Sequence, residues 1–222
     1  MYDSLTANES CQRLKFIWKA KVPQKIKFFM CFLHNNALVT KDNMLSRNWT
    51  GNALCVFCDQ LETANHLMFS CPVARVVWGV VACCFGSDVI PSSYDNFWSW
   101  IRAALPGGDK VSLLGLSAVC WAIWLTRNGI IFYNKVLRHP CEIILSMCAF
   151  LRFWAGLYPD SVKEIILAGA ETMLKTAMRL LGQQQGGSSV RRLISTPAAP
   201  ALQQSDAEET GSDDEAGSLS DA

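Results

Sequence analysis

Residues 55–71 read CVFCDQLETANHLMFSC, and the spacing of their metal-ligating residues is C-x2-C-x7-H-x4-C. Cys55, Cys58, His66 and Cys71 therefore bring three thiols and one imidazole together within 17 residues. Three cysteines and one histidine are a common tetrahedral ligand set for a structural Zn²⁺ ion. Because protein side chains fill all four positions, no position remains for an activated water. The spacing therefore predicts one structural zinc ion rather than a hydrolytic centre.

Two alternatives to a zinc site remain open for these cysteines. The chain has ten cysteines, so one C-x-x-C pair can arise by chance, and cysteine also packs as a small buried hydrophobe. The main rival is a redox C-x-x-C pair, but such a pair normally belongs to a βαβ unit, and no strand pattern precedes Cys55. His66, one of three histidines, lies inside the short window where a third ligand is needed, which favours zinc.

The composition predicts a globular body followed by an acidic tail. The chain has 222 residues, of which 50% are hydrophobic and eight are tryptophan. After Gln183, seven acidic residues and two arginines give a net charge of −5, which leaves +6 on the rest of the chain. Residues 183–222 hold too little apolar surface to offset the entropy cost of ordering. We therefore expect residues 183–222 to be a disordered acidic tail.

The N-terminus and the longest apolar stretch indicate where in the cell the protein is expected to be. Residues 1–5 are polar and lack the apolar segment of a secretory signal. We therefore expect an intracellular protein of the nucleus or cytoplasm, where cysteines stay reduced and can bind metal. The apolar stretch from Val111 to Leu125 is about 15 residues long, short of the roughly 20 that span a bilayer. It predicts a buried helix, and we expect no membrane association.

Hydrophobic periodicity predicts a mainly α fold, a small irregular helical domain with one structural zinc site. No stretch alternates apolar and polar residues with the period of a strand. Apolar residues recur at helical spacing, and prolines and glycines divide them into segments. The predicted helices cover residues 23–36, 40–47, a segment that starts at Pro72, 97–105, 110–133, 140–157 and 161–181, with a helix or turn over 62–69 that presents His66.

These segments predict four parts of the chain. Residues 1–14 are expected to be a flexible N-terminus, and residues 15–85 a zinc-binding domain. Residues 86–182 are expected to form a helical extension packed on that domain, and the acidic tail follows.

Basic and aromatic residues occur together before the cysteines. Residues 15–29 read KFIWKAKVPQKIKFF. This mixture is typical of a nucleic-acid surface, although a solvated basic face beside buried aromatics produces the same pattern. The candidate contact residues are Lys15, Lys19, Lys21, Lys25, Lys27, Lys41 and Arg47.

Three blocks of this sequence resemble, in the same order, the zinc-binding domain that follows the reverse transcriptase in plant non-LTR (LINE-type) retrotransposons. The first block comprises Trp18, residues 22–29, His34-Asn35, Leu38, residues 40–43, Leu45 and Arg47. The second comprises the C-x-x-C pair, Glu62-Thr63, His66-Leu67, Cys71-Pro72 and Trp78, and the third comprises Trp121, Trp124, Arg127-Asn128 and Phe132. Cys31 departs from the family, which usually has tryptophan there; the change affects packing rather than the metal.

The resemblance implies that the module lies C-terminal to a polymerase and helps to hold template nucleic acid. The sequence lacks the polymerase's catalytic aspartate pair, because Asp213-Asp214 stand in the wrong context, and it lacks the carboxylates with which nucleases hold two metal ions. We therefore expect no catalytic activity and no small-molecule substrate. The leading hypothesis is a non-catalytic, zinc-stabilised nucleic-acid-binding module derived from a retrotransposon reverse transcriptase, with RNA or DNA bound at the N-terminal basic face.

Two further hypotheses about function stay open. One is a protein-interaction or purely structural zinc module, a domesticated or relic fragment that binds no nucleic acid and whose protein partners are unknown. The low net charge, the aromatic content and the acidic tail favour it. The other is a cysteine enzyme, in which Cys31 and His34 share one helix, but no acid stands nearby to orient the histidine.

Overall fold

The computed structural model describes residues 2–105 and 108–184. In that part of the chain the backbone forms helices α1 (Tyr2–Lys19), α2 (Gln24–His34), α3 (Lys41–Leu45), a π-helix (His66–Ser70), α4 (Pro72–Cys84), α5 (Tyr94–Ala104), α6 (Asp109–Tyr133), α7 (Cys141–Ala155) and α8 (Asp160–Gln184). The described residues contain no strand, only an isolated antiparallel bridge between Leu54 and Leu61. The predicted mainly α fold is confirmed. Most of the predicted tail, residues 185–222, lies outside the described residues.

The first helix differs from the expectation of a flexible N-terminus over residues 1–14, because α1 already begins at Tyr2. α1 and α2 form an antiparallel hairpin. Ser10 Oγ lies 2.8 Å from His34 Nε2 near the open end, and Lys27 Nζ donates to the Trp18 carbonyl over 2.9 Å near the turn. Ile17 is fully buried. Sequence reasoning missed this helix because its apolar residues fall mostly in its last two turns.

The core is built around Trp78 of α4. Its indole stacks on Phe69 at 5.6 Å between ring centroids, and its Nε1 donates to the Met68 carbonyl over 2.8 Å. Phe97 and Trp100 of α5 contact the same ring. α7 packs on α4, α6 and α8, and α8 also packs on α4. Helices on both sides of the predicted boundary at residue 85 therefore share one core.

α6 passes the length and composition criteria for a membrane span over Val111–Tyr133, and it is the one helix among the described residues to do so. This segment is longer than the 15-residue apolar stretch identified from sequence. Its length therefore does not distinguish a membrane span from the core helix of a folded protein. In this structure, 56% of its most apolar window is buried inside the protein. Trp121 of α6 packs edge-on against Phe29 of α2, with 5.1 Å between ring centroids. α6 therefore makes the contacts of a core helix, the packing predicted from sequence.

Candidate metal centre

A tight turn presents the first two predicted ligands. The Cys55 N–H donates to the Gln60 carbonyl over 2.8 Å, and the Glu62 N–H donates to the Ala53 carbonyl over 3.0 Å. These two bonds close the chain around Cys58. The Phe57 N–H also lies 3.5 Å from Cys55 Sγ. The C-x-x-C spacing thus places both sulfurs on one side of a hydrogen-bonded turn.

The π-helix presents the other two ligands. The Cys71 N–H donates to the His66 carbonyl over 2.7 Å, a bond between residues five apart, and the His66 N–H donates to Thr63 Oγ1 over 3.0 Å. This wider turn is typical of functional sites in helices. Pro72 follows as the first residue of α4, as predicted, where its missing N–H is not needed. His66 and Cys71 are therefore held at the start of a core helix.

The four predicted ligands converge. The ligand atoms of Cys55, Cys58, His66 and Cys71 all lie within 4.8 Å of one another. The two sulfurs of Cys58 and Cys71 are 3.8 Å apart, and Cys58 Sγ lies 3.2 Å from His66 Nε2. In an ideal tetrahedral zinc site the corresponding distances are about 3.8 Å and about 3.5 Å. The arrangement fits one zinc ion, with His66 binding through Nε2.

The ionisation of the thiols supports the same assignment. A hydrogen bond from the Cys71 thiol lowers the pKa of Cys55 to about 4, and the same contact raises the pKa of Cys71. Burial raises the pKa of Cys58. Without a cation, one thiolate is stabilised while its two neighbours resist ionisation. A divalent ion that binds all three thiolates removes this conflict, which is the usual coupling between metal binding and thiol deprotonation.

A buried ion pair lies beside the cluster. Glu62 Oε1 accepts from Arg127 Nη2 of α6 over 2.6 Å and from the Lys41 N–H, the first residue of α3, over 3.1 Å. The side chains of Glu62 and Arg127 are 0% and 2% exposed. One carboxylate therefore connects α3, the segment between Cys58 and His66, and α6.

The sequence contained both members of this pair in separate blocks, but sequence reasoning assigned neither a role. The guanidinium of Arg127 also lies 5.0 Å from the centre of the Trp124 ring and donates to Asn128 Oδ1 over 3.0 Å. Glu62 gave no signal, because it stands among polar residues, but Arg127 is the one charged residue between Val111 and Tyr133 in the sequence. Charged residues in such positions are usually paired when they are buried.

The seven candidate basic residues fall into two groups. Lys15, Lys19, Lys21, Lys25 and Lys27 lie along the α1–α2 hairpin, whereas Lys41 begins α3 and Arg47 follows it. Four of the seven are partly engaged within the protein. Lys27 Nζ donates to the Trp18 carbonyl and Lys41 Nζ to the Leu54 carbonyl, while the ammonium groups of Lys21 and Lys25 lie 5.9 Å and 5.8 Å from the ring centres of Tyr158 and Trp121. All of the seven except Lys27 and Lys41 are exposed. None of the seven forms a salt bridge with any described residue.

Cys31 and Cys148, two of the cysteines outside the cluster, lie in environments that disfavour a reactive thiolate. His34 Nε2 lies beside Ser10 Oγ rather than a thiol, and burial raises the pKa of Cys31. Burial likewise raises the pKa of Cys148 to about 11. These environments disfavour the thiolate and fit cysteines that pack as apolar side chains.

The helical fold and its Cys₃His cluster define a small zinc-binding module. Residues 1–78 match the family described as zinc-binding in reverse transcriptase, which confirms the predicted resemblance for the first two sequence blocks; the third block lies beyond the matched residues. A stretch of 83 residues, 35% of this chain, is 25% identical to a ribonuclease H-like protein of Arabidopsis thaliana and covers 13% of that protein's length. No solved structure matches the chain. The zinc site is thus supported by its geometry and by the family match together.

Proposed function

We propose that this protein is a non-catalytic, zinc-stabilised module that binds RNA or DNA through the basic face of the α1–α2 hairpin. The observation that carries the proposal is the charge of this hairpin. From residue 10 to residue 41 the sequence has no Asp or Glu, but it has one arginine and six lysines. Arg13 pairs with Asp95 of α5, whereas the lysines at positions 15, 19, 21 and 25 are exposed. An unneutralised row of lysines attracts a phosphate backbone.

The zinc ion has a structural role in this proposal. Bound to Cys55, Cys58, His66 and Cys71, it would hold the C-x-x-C turn against the start of α4, so that its binding energy stabilises the fold. A filled ligand set leaves no position for a reacting water. Among the described residues, this cluster is the one group of three or more His, Cys, Asp or Glu side chains close enough to hold an ion. We further propose that the protein acts in the nucleus or cytoplasm, where the thiols stay reduced.

The test is the salt dependence of binding to fluorescently labelled RNA and DNA oligonucleotides, measured by anisotropy with zinc-loaded protein. For four phosphate contacts to a single strand, raising the salt from about 50 to about 200 mM should weaken binding about 50-fold. Lys15→Gln/Lys19→Gln should weaken binding about 25-fold at about 0.1 M salt, since each contact contributes about 5-fold there.

The matched control is Lys163→Gln/Lys175→Gln on α8, which removes the same charge from two helical lysines engaged in local ion pairs. This control should keep the affinity of the parent protein. If the parent binds neither RNA nor DNA at low salt, the nucleic-acid function is wrong and the protein-interaction alternative is preferred. If both double variants weaken binding equally, the hairpin is not the contact surface.

A further inference from the structure

Three aromatic side chains on the α1–α2 hairpin are exposed to solvent. Trp18, Phe28 and Phe32 have exposed fractions of 43%, 47% and 51%, and we call them the aromatic surface. Trp18 is the most exposed of the eight tryptophans, four of which are buried in the core. The sequence pattern alone allowed these rings to be buried beside a solvated basic face. The structure instead places them on that face.

The two phenylalanines occupy the outward side of an amphipathic helix. α2 buries Ile26, Phe29, Met30 and Leu33. Phe28 and Phe32 are four residues apart, so they lie one above the other on the opposite side. Lys25 lies one turn before Phe28 on that side and is exposed. The outward side of α2 therefore presents aromatic rings next to positive charge.

Trp18 completes the surface from α1. Its ring lies 5.5 Å from the Phe28 ring at an interplanar angle of 89°. In this edge-on arrangement the two rings do not cover each other face to face as stacked rings do. The Lys27 ammonium holds the Trp18 carbonyl, which ties the end of α1 to α2. The rings are thus held by the hairpin while flat ring surface stays accessible.

We propose that the aromatic surface binds single-stranded nucleic acid by stacking its bases on Trp18, Phe28 and Phe32. This inference rests on the proposed nucleic-acid function and names the form of the ligand. Exposed aromatic rings beside a basic groove are the arrangement that binds single strands without sequence preference. In a duplex the base faces are already stacked on their neighbours, so a duplex offers the surface only phosphates. The lysines supply affinity for either form, and the rings select the single strand.

The experiment compares a single-stranded oligonucleotide with a duplex of the same sequence, using anisotropy and the quenching of tryptophan fluorescence. The parent should bind the single strand more tightly than the duplex. Trp18→Ala and Phe28→Ala should each weaken single-strand binding by about 5- to 150-fold, the range found for removal of one stacking ring. Both variants should keep the salt slope of the parent, because no phosphate contact is lost.

Phe153→Ala is the matched control, since Phe153 is a 78% exposed phenylalanine on α7. It should bind like the parent, and Trp18→Phe should restore most of the affinity lost in Trp18→Ala. Zinc content and circular dichroism establish that each variant is folded. Equal binding of single strand and duplex, or unchanged binding by the alanine variants, overturns the stacking proposal while the lysine-dependent function stands. Absence of binding to either form at low salt overturns both.

Discussion

Removing one partner of the buried pair of Glu62 and Arg127 should strongly destabilise the zinc module. Arg127→Met removes the two guanidinium hydrogen bonds to Glu62, from Nη2 to Oε1 over 2.6 Å and from Nε to Oε2 over 3.4 Å. Glu62 then keeps the Lys41 N–H as its one hydrogen-bond donor among the described residues. Breaking a buried ion pair by removing one partner costs about 3–5 kcal/mol. For a chain of this size, that loss lowers Tm by about 6–20 °C. It is a large part of the roughly 5–15 kcal/mol that stabilises a typical domain.

The assay is urea and thermal unfolding of the zinc-loaded protein, followed by far-ultraviolet circular dichroism. Glu62→Gln/Arg127→Met should recover most of the lost stability, because removing both charges of a buried pair is often nearly neutral. The strong non-additivity of the two single changes is the measured signature of their contact. Lys175→Met is the control, since its partner Glu171 is exposed and solvent screens such pairs; its unfolding should match that of the parent.

Two results would refute this reasoning. If Arg127→Met unfolds within about 1 kcal/mol of the parent, the guanidinium does not neutralise a buried carboxylate. If the two single changes add up to the double change, the residues are not energetically coupled. Zinc content should be measured for each variant, because Glu62 lies between two ligands in the chain and its loss could act through the metal.

Three further predictions concern the metal, the domain boundary and glycines within helices. Cys71→Ala should lose the single zinc ion measured by mass spectrometry in the parent, and one zinc per chain in the variant would show that the ligand set is misassigned. A fragment of residues 1–85 should lack a cooperative thermal transition, because it loses the α5 and α6 side chains that pack on its core; a sharp transition near that of the full chain would contradict this. Gly115→Ala and Gly169→Ala should each raise stability by about 1 kcal/mol in urea unfolding, because an added methyl meets no atom within 4 Å and alanine favours a helix by about that amount. Gly79→Ala on α4 meets the same open space and should give a similar gain; a loss of stability in any of the three variants would show that the methyl is not tolerated there.

Much of the local structure followed from sequence because it depends on residues close together in the chain. Pro72 starts α4 as predicted. α5 begins at Tyr94, three residues before the predicted start at residue 97, and Ser93 caps it by accepting the Asn96 N–H over 3.0 Å. The first and last residues of the helices were predicted less accurately than their existence. The last helix was predicted to end at residue 181, but α8 continues to Gln184. α1 was missed because its first turns lack an apolar stripe, and contacts with α2 and α5 stabilise its later turns instead.

The sequence by itself determined the mainly helical fold and the four zinc ligands, since helical periodicity and metal-ligand spacing both act over fewer than about twenty residues. Only the tertiary structure decided that Glu62 meets Arg127, 65 residues away in the chain, and that the rings of Trp18, Phe28 and Phe32 face solvent. Spacing along the chain carries no information on which distant side chain will satisfy a buried charge. It also does not say which face of a short, aromatic-rich hairpin the remaining helices will cover. Those outcomes depend on how α5 and α6 pack against the first two helices and the zinc segment.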